Sequence, residues 1–209
     1  MTIAFAATED VLAAEATLTL PPAARVLYLR SGQVSAGEGR DGRPLPREEA
    51  VLCVGPLRLS GAGVVWGYEA ARALDPPDPR RTVLRVTLPR DPDAPLLLRA
   101  DRVDFPAGAV TPRHGHAGPG IRRLLAGRLF AEIGDAHRRI DPGEAWFESG
   151  AEPVVGRNLA SASAFLRCMV LDPDLAGRPT FRPASPEDAT KPRAVAYRLF
   201  LETIVTLPR

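Results

Sequence analysis

Twenty-two prolines are scattered at short intervals along 209 residues, and between them no apolar pattern of helical period runs long. Proline has no backbone N–H and its ring clashes with the preceding helical turn, so this spacing excludes helices of ordinary length. The intervals hold short runs of alternating or continuous apolar residues, the pattern of strands. Residues 17–20 and 25–30 are such runs, punctuated by Pro21-Pro22 and Ser31-Gly32. Residues 50–59, 64–68, 82–88 and 96–105 follow, with Gly61-Ala62-Gly63 read as a turn. Residues 36–49 read as loop, and Asp75-Pro76-Pro77-Asp78-Pro79 as a rigid surface connection. Residues 1–12 fit either a short helix or an extended arm. Near the C-terminus Glu187-Asp188 begins a short helical turn, and the run carrying Tyr197, Leu199, Leu201, Ile204 and Val205 is a closing strand. The expectation is an all-β chain with few short helices.

Composition narrows what such a chain does. It is 45% hydrophobic and 25% charged with a net charge of +2, ordinary for a globular protein with ample length to bury a core. Lys191 is the sole lysine among 27 basic residues. The arginines form no run and are not interleaved with aromatic residues, so a nucleic-acid footprint is not expected. Glu9, Asp10 and Glu15 break up the N-terminal stretch, so a secretory signal is not expected there. No stretch reaches the roughly 18 apolar residues of a membrane span. Cys53 and Cys168 lie in separate apolar segments and read as buried free thiols in a reducing cytoplasm. Phosphate-loop, dinucleotide, Cys-x-x-Cys and nucleophile-elbow patterns are absent; Ser149 lacks the frame of the last.

The halves repeat. Gly32 and Gly127, Glu49 and Glu144, Ala50 and Ala145, and Gly55 and Gly150 share one offset of 95 residues. The apolar runs 25–32 and 120–127 overlay at the same offset. A constant offset across separate segments indicates duplication. His114 and His116 then fall on Thr19 and Pro21, so any histidine chemistry belongs to the second half.

His114 and His116 are two apart, and on a strand both imidazoles share a face. They are followed by the turn Gly118-Pro119-Gly120 and the apolar run 121–125. This segment resembles the first motif of the cupin superfamily, Gly-x5-His-x-His-x3–4-Glu-x6-Gly. Gly108, His114, His116 and Gly127 stand in register, and Gly120 replaces the glutamate. The second motif is matched by Pro142-Gly143-Glu144 and Gly150, with Pro153 at its histidine position. Two of the four usual ligands are thus absent. The resemblance implies two cupin-type jelly-roll barrels (double-stranded β-helix): a degenerate half at 1–94, and a half at 95–209 holding the site.

It also implies a cofactor: a divalent ion (iron, manganese, nickel, copper or zinc) on His114 and His116, since neutral imidazole suits such metals. A structural pair is the alternative. Glu148 follows the apolar run Ala145-Trp146-Phe147, where a carboxylate needs a partner. Three roles are open to it: third ligand, general base, or ion-pair partner of Arg122. Arg122 faces the same cavity and is placed to clamp a substrate carboxylate. Trp146 shares a strand face with Glu148, as ligand wall or core residue. His137 is placed in a polar loop, and Glu132 and Glu152 read as solvated. The expected function is a metal-dependent dioxygenase or isomerase acting on a small anionic organic molecule. Its rival is a non-catalytic cupin that binds a small ligand or supports a homodimer, with no membrane or nucleic-acid partner.

Overall fold

A computed structural model describes residues 1–37, 42–72, 78 and 81–209. Of the expected connection at 75–79 only Asp78 is among them, and residues 38–41 of the expected loop also lie outside. The chain divides into two compact units, Met1–Leu96 with Ile204–Arg209, and Leu97–Thr203. The last six residues, expected with the second half, therefore belong to the first unit.

The first unit contains β1 (Ile3–Leu12), β2 (Thr17–Gly37), β3 (Arg43–Pro44), β4 (Ala50–Ala71) and β5 (Thr82–Leu88). They form one sheet in the order β3-β2-β4-β1-β5. Residues 1–12 are therefore extended, and β1 lies between β4 and β5 with Ile3, Phe5 and Ala7 buried. Pro21-Pro22, Ser31-Gly32 and Gly61-Ala62-Gly63 do not end strands as expected; β2 and β4 run through them. Pairing with β4 skips from Leu20 to Ala23, so the two prolines sit in a bulge that needs no donor. Gly61 has φ of 125°, and a Cβ there would lie 2.3 Å from the Gln33 carbonyl oxygen. Glycine lets the strand bend where another residue would force it apart.

The second unit contains β6 (Leu96–Pro106), β7 (His114–His116), β8 (Gly120–Ala126), β9 (Leu129–Ile133), β10 (Ala136–Ile140), β11 (Ala145–Glu148), β12 (Val154–Asn158), β13 (Ala162–Leu171), β14 (Phe181–Pro183) and β15 (Ala196–Val205), apart from the end residues Leu96, Ile204 and Val205, which fall in the first. Two five-stranded sheets result, β10-β9-β12-β7-β14 and β11-β8-β13-β6-β15. This is an antiparallel jelly roll, in which alternate residues of each strand face inward. Its core gathers Val103, Phe105, Leu124, Leu129, Trp146 and Phe165. The helix α1 (Pro186–Thr190) is a single turn, with Ser185 accepting a hydrogen bond from the Asp188 amide as its N-cap. No helix among the described residues is long and apolar enough to cross a membrane.

The strand registers carry the internal repeat. In the first unit Arg25, Val26, Leu27 and Tyr28 pair with Cys53, Leu52, Val51 and Ala50. In the second, Gly120, Ile121, Arg122 and Arg123 pair with Glu148, Phe147, Trp146 and Ala145. Every one of these partners is displaced by the offset read from the sequence. The bulges repeat too: pairing skips Arg30 in β2 and Leu125 in β8. Gly32 and Gly127 then follow with positive φ of 83° and 80°.

Candidate functional site

The site begins with a short strand held by glycines. β7 lies between β12 and β14, and alternation turns His114 and His116 inward, where both are buried. A Cβ at Gly150 would lie 2.7 Å from the Gly118 carbonyl oxygen, so only glycine admits this approach. The Gly150 carbonyl in turn accepts a hydrogen bond from the His116 amide at 3.3 Å. His114 Nδ1 lies 2.7 Å from the Pro112 carbonyl oxygen. Only N–H satisfies a carbonyl, so Nδ1 carries the proton and Nε2 keeps its lone pair. Burial pushes both imidazoles well below their ordinary pKa, with Arg122 and Arg167 adding repulsion. Both are neutral near pH 7.

The opposite wall is one row across the other sheet. Trp146 pairs with Arg122, Arg122 with Arg167, and Arg167 with Asp101. Two arginines thus stand directly opposite one another inside a barrel, an arrangement that like charges disfavour. A carboxylate serves each. Glu148 Oε2 lies 2.7 Å from Arg122 Nη2, and Asp101 accepts from Arg167 Nη2 at 2.6 Å and Nε at 3.1 Å. Complete burial brings Arg122 down to about 10, although Glu148 favours its charge. Burial opposes the charge of Arg167 as well, but Asp101 outweighs it and leaves the pKa raised. Trp146 Nε1 donates to Glu148 Oε1 at 2.8 Å, and its ring meets Phe165 edge-on at 5.2 Å.

These walls enclose a cavity of about 40 Å³ that reaches His114, His116, Arg122, Trp146, Glu148 and Arg167. A water needs roughly 10–15 Å³ of such space, so the cavity suits a group the size of a carboxylate. Three buried polar atoms on its lining side chains have no hydrogen-bond partner: His116 Nδ1, Arg122 Nη2 and Glu148 Oε2. The last two touch, as an ion pair, without the angles of a hydrogen bond.

No protein-family model matches the sequence, and no curated protein matches it. Solved structures are similar. AerE from Microcystis aeruginosa aligns with a TM-score of 0.61 at 16% identity, covering 80% of this chain and 88% of its own. An oxalate decarboxylase variant from Bacillus subtilis aligns at 0.61 and 11%, covering 90% and 73%. A cupin 2 conserved barrel domain protein from Leptotrichia buccalis aligns at 0.50 and 10%, covering 79% and 83%. The chain has the cupin fold.

Within this fold the five residues singled out from the sequence, His114, His116, Arg122, Trp146 and Glu148, line one cavity. His137 does not reach it. It lies on β10, a strand where a loop was expected, and its exposed ring is 6.0 Å from Phe130. Glu132 is engaged by Arg157 at 2.8 Å. Arg167, Asp101 and Tyr197 were missed. Arg167 had a signal, a lone charge inside the apolar run 164–171, the same anomaly that marked Glu148. Tyr197, 44% exposed on β15, had none. Both thiols are free, and burial pushes that of Cys168 up, out of reach of chemistry.

The donor set does not fit the divalent metal that the resemblance implied. His114 is oriented as a ligand would be, its second nitrogen on a backbone carbonyl. But the one carboxylate beside the histidines is committed to Arg122 and Trp146. A dication placed there would join two buried guanidinium groups in the same cavity. Among the described residues no three His, Cys, Asp or Glu side chains are grouped to share an ion.

Proposed function

We propose that the second unit is a small-ligand-binding cupin that takes a compact anionic group of an organic molecule without a metal. The observation carrying this reading is three buried atoms without a hydrogen bond on side chains lining one cavity: His116 Nδ1, and Arg122 Nη2 and Glu148 Oε2, which meet only as an ion pair. Buried polar groups are almost always satisfied, so a ligand offering both oxygens and a proton completes them. Arg122 supplies donors, Glu148 an acceptor, and the adjoining arginine row the preference for negative charge. The apolar neighbours Phe105, Leu129 and Phe165 keep bulk water from the contact.

The test is calorimetric titration with formate, acetate, lactate and malonate, beside elemental analysis of the untagged protein. The Arg122→Met/Glu148→Leu variant, which replaces the ion pair with apolar groups of similar size, is the control. Binding by the wild type that weakens at least tenfold in this variant, with no stoichiometric metal, is the expected result. One equivalent of iron, manganese, nickel, copper or zinc, lost in His114→Ala/His116→Ala, would overturn it in favour of a metal-dependent cupin.

A second reading, isomerisation by proton transfer, is favoured by one distance. His116 Nε2 lies 3.6 Å from Glu148 Oε2, close enough for a carboxylate base and an imidazole to serve one substrate from the same wall. Exchange of a carbon-bound hydrogen of the ligand with deuterium from solvent, abolished in Glu148→Gln, is its signature.

A further inference from the structure

Arg167 and Tyr197 line the inner cavity and also a larger cleft of about 390 Å³ in the same unit. The cleft carries four arginines, Arg99, Arg167, Arg178 and Arg193, and two carboxylates, Asp101 and Glu202. Both carboxylates are taken. Asp101 holds Arg167 at two points, and Glu202 pairs with Arg99 while accepting from the Gly177 amide. Arg178 and Arg193 are left without a carboxylate partner among the described residues.

Arg193 is nonetheless held in place. Its guanidinium carbon lies 4.1 Å from the centre of the Phe181 ring and 5.2 Å from that of Tyr197. A planar cation seated on aromatic faces keeps its N–H edge directed outward, the geometry that grips an oxyanion at two points. Phe181 also stacks on His114, with ring centres 4.5 Å apart and planes 21° apart. One aromatic platform thus joins the arginine of the outer cleft to a histidine of the inner cavity.

We infer that the outer cleft is a second oxyanion subsite, built on Arg193 with Arg178, and that the ligand is a two-ended organic anion. Its compact end occupies the cavity at Arg122 and Glu148, its stem passes Arg167 and Tyr197, and its far end is a carboxylate or a phosphate. This inference rests on the reading of the inner cavity as an anion site.

The experiment compares unbranched monocarboxylates with the dicarboxylates and ω-phosphono acids of equal chain length, from four to seven carbons, by calorimetry at fixed ionic strength. The proteins are wild type, Arg193→Gln, Arg178→Gln and Arg122→Met/Glu148→Leu. At the best length a two-ended acid binds wild type at least tenfold tighter than its monoacid. That preference falls to about threefold or less in Arg193→Gln, with a smaller fall in Arg178→Gln. Which series gains more identifies the far end as carboxylate or phosphate. If monoacids bind through Arg122 and Glu148 but the two-ended acids gain nothing, or keep their gain in Arg193→Gln, the outer subsite is overturned and the inner one stands. If no acid binds with dependence on Arg122 and Glu148, both fall.

Discussion

Glu148 is the residue on which the site turns. It receives a tryptophan N–H, opposes a buried guanidinium and stands near an imidazole. Its removal leaves Arg122, 1% exposed, charged with no counter-ion. Glu148→Gln is therefore expected to destabilise the protein by about 3 kcal/mol in urea denaturation, since breaking a buried pair from one side strands the other charge. The Arg122→Met/Glu148→Leu variant should come within about 1 kcal/mol of wild type or exceed it, because the desolvation of both charges is removed together. If the double variant is as unstable as the single one, the pair is not the source of the loss.

At the scale of elements, the equivalent glycines Gly32, within β2, and Gly127, just after β8, do the same work in each unit. A Cβ at Gly127, whose φ is +80°, would lie 2.2 Å from Ser163 Oγ and 2.3 Å from the Ala162 carbonyl oxygen. A Cβ at Gly32, with φ of +83°, would lie 2.2 Å from the Ala62 carbonyl oxygen. Gly108 has a similar φ of +70° but nothing within 4 Å. Gly108→Ala should cost about 1 kcal/mol, the strain of a left-handed residue alone. Gly127→Ala and Gly32→Ala should each cost at least about 1 kcal/mol more, because strand backbones must also separate. Thermal denaturation of the three variants checks the order; equal losses would mean that the close approach contributes nothing.

At the scale of the whole molecule, the buried neutral histidines tie stability to pH. Burial depresses the folded-state pKa of His114 and His116 below the ordinary value of 6.5, so on acidification the unfolded chain takes up protons first. Their contribution is complete above about pH 6.5 and declines below it, by up to ~1.4 kcal/mol per pH unit for each histidine. Stability measured by urea denaturation between pH 7 and pH 5 should fall more steeply for wild type than for His114→Ala/His116→Ala. Parallel slopes would show that the imidazoles charge as readily inside the protein as outside it.

The frame of this fold was legible in the chain because it depends on local rules. Proline spacing excluded long helices, two-residue alternation put His114 and His116 on one face, and the 95-residue offset marked the segments whose strand pairing recurs in both units. Strand ends were misread at Pro21-Pro22 and Gly61-Ala62-Gly63, since a bulge or bend uses the same residues as a turn and only the neighbouring strand distinguishes them. The character of the site was decided by tertiary structure. At the positions of Arg122, Trp146 and Glu148 the first unit has Leu27, Val51 and Cys53, which belong to or pack against an aliphatic core. Only the register across β11, β8, β13 and β6 sets Arg122 beside Arg167 and gives each its own carboxylate. Residues 101, 122, 148 and 167 are far apart in sequence, and the low dielectric that makes their pairing consequential exists only once the barrel has closed around them.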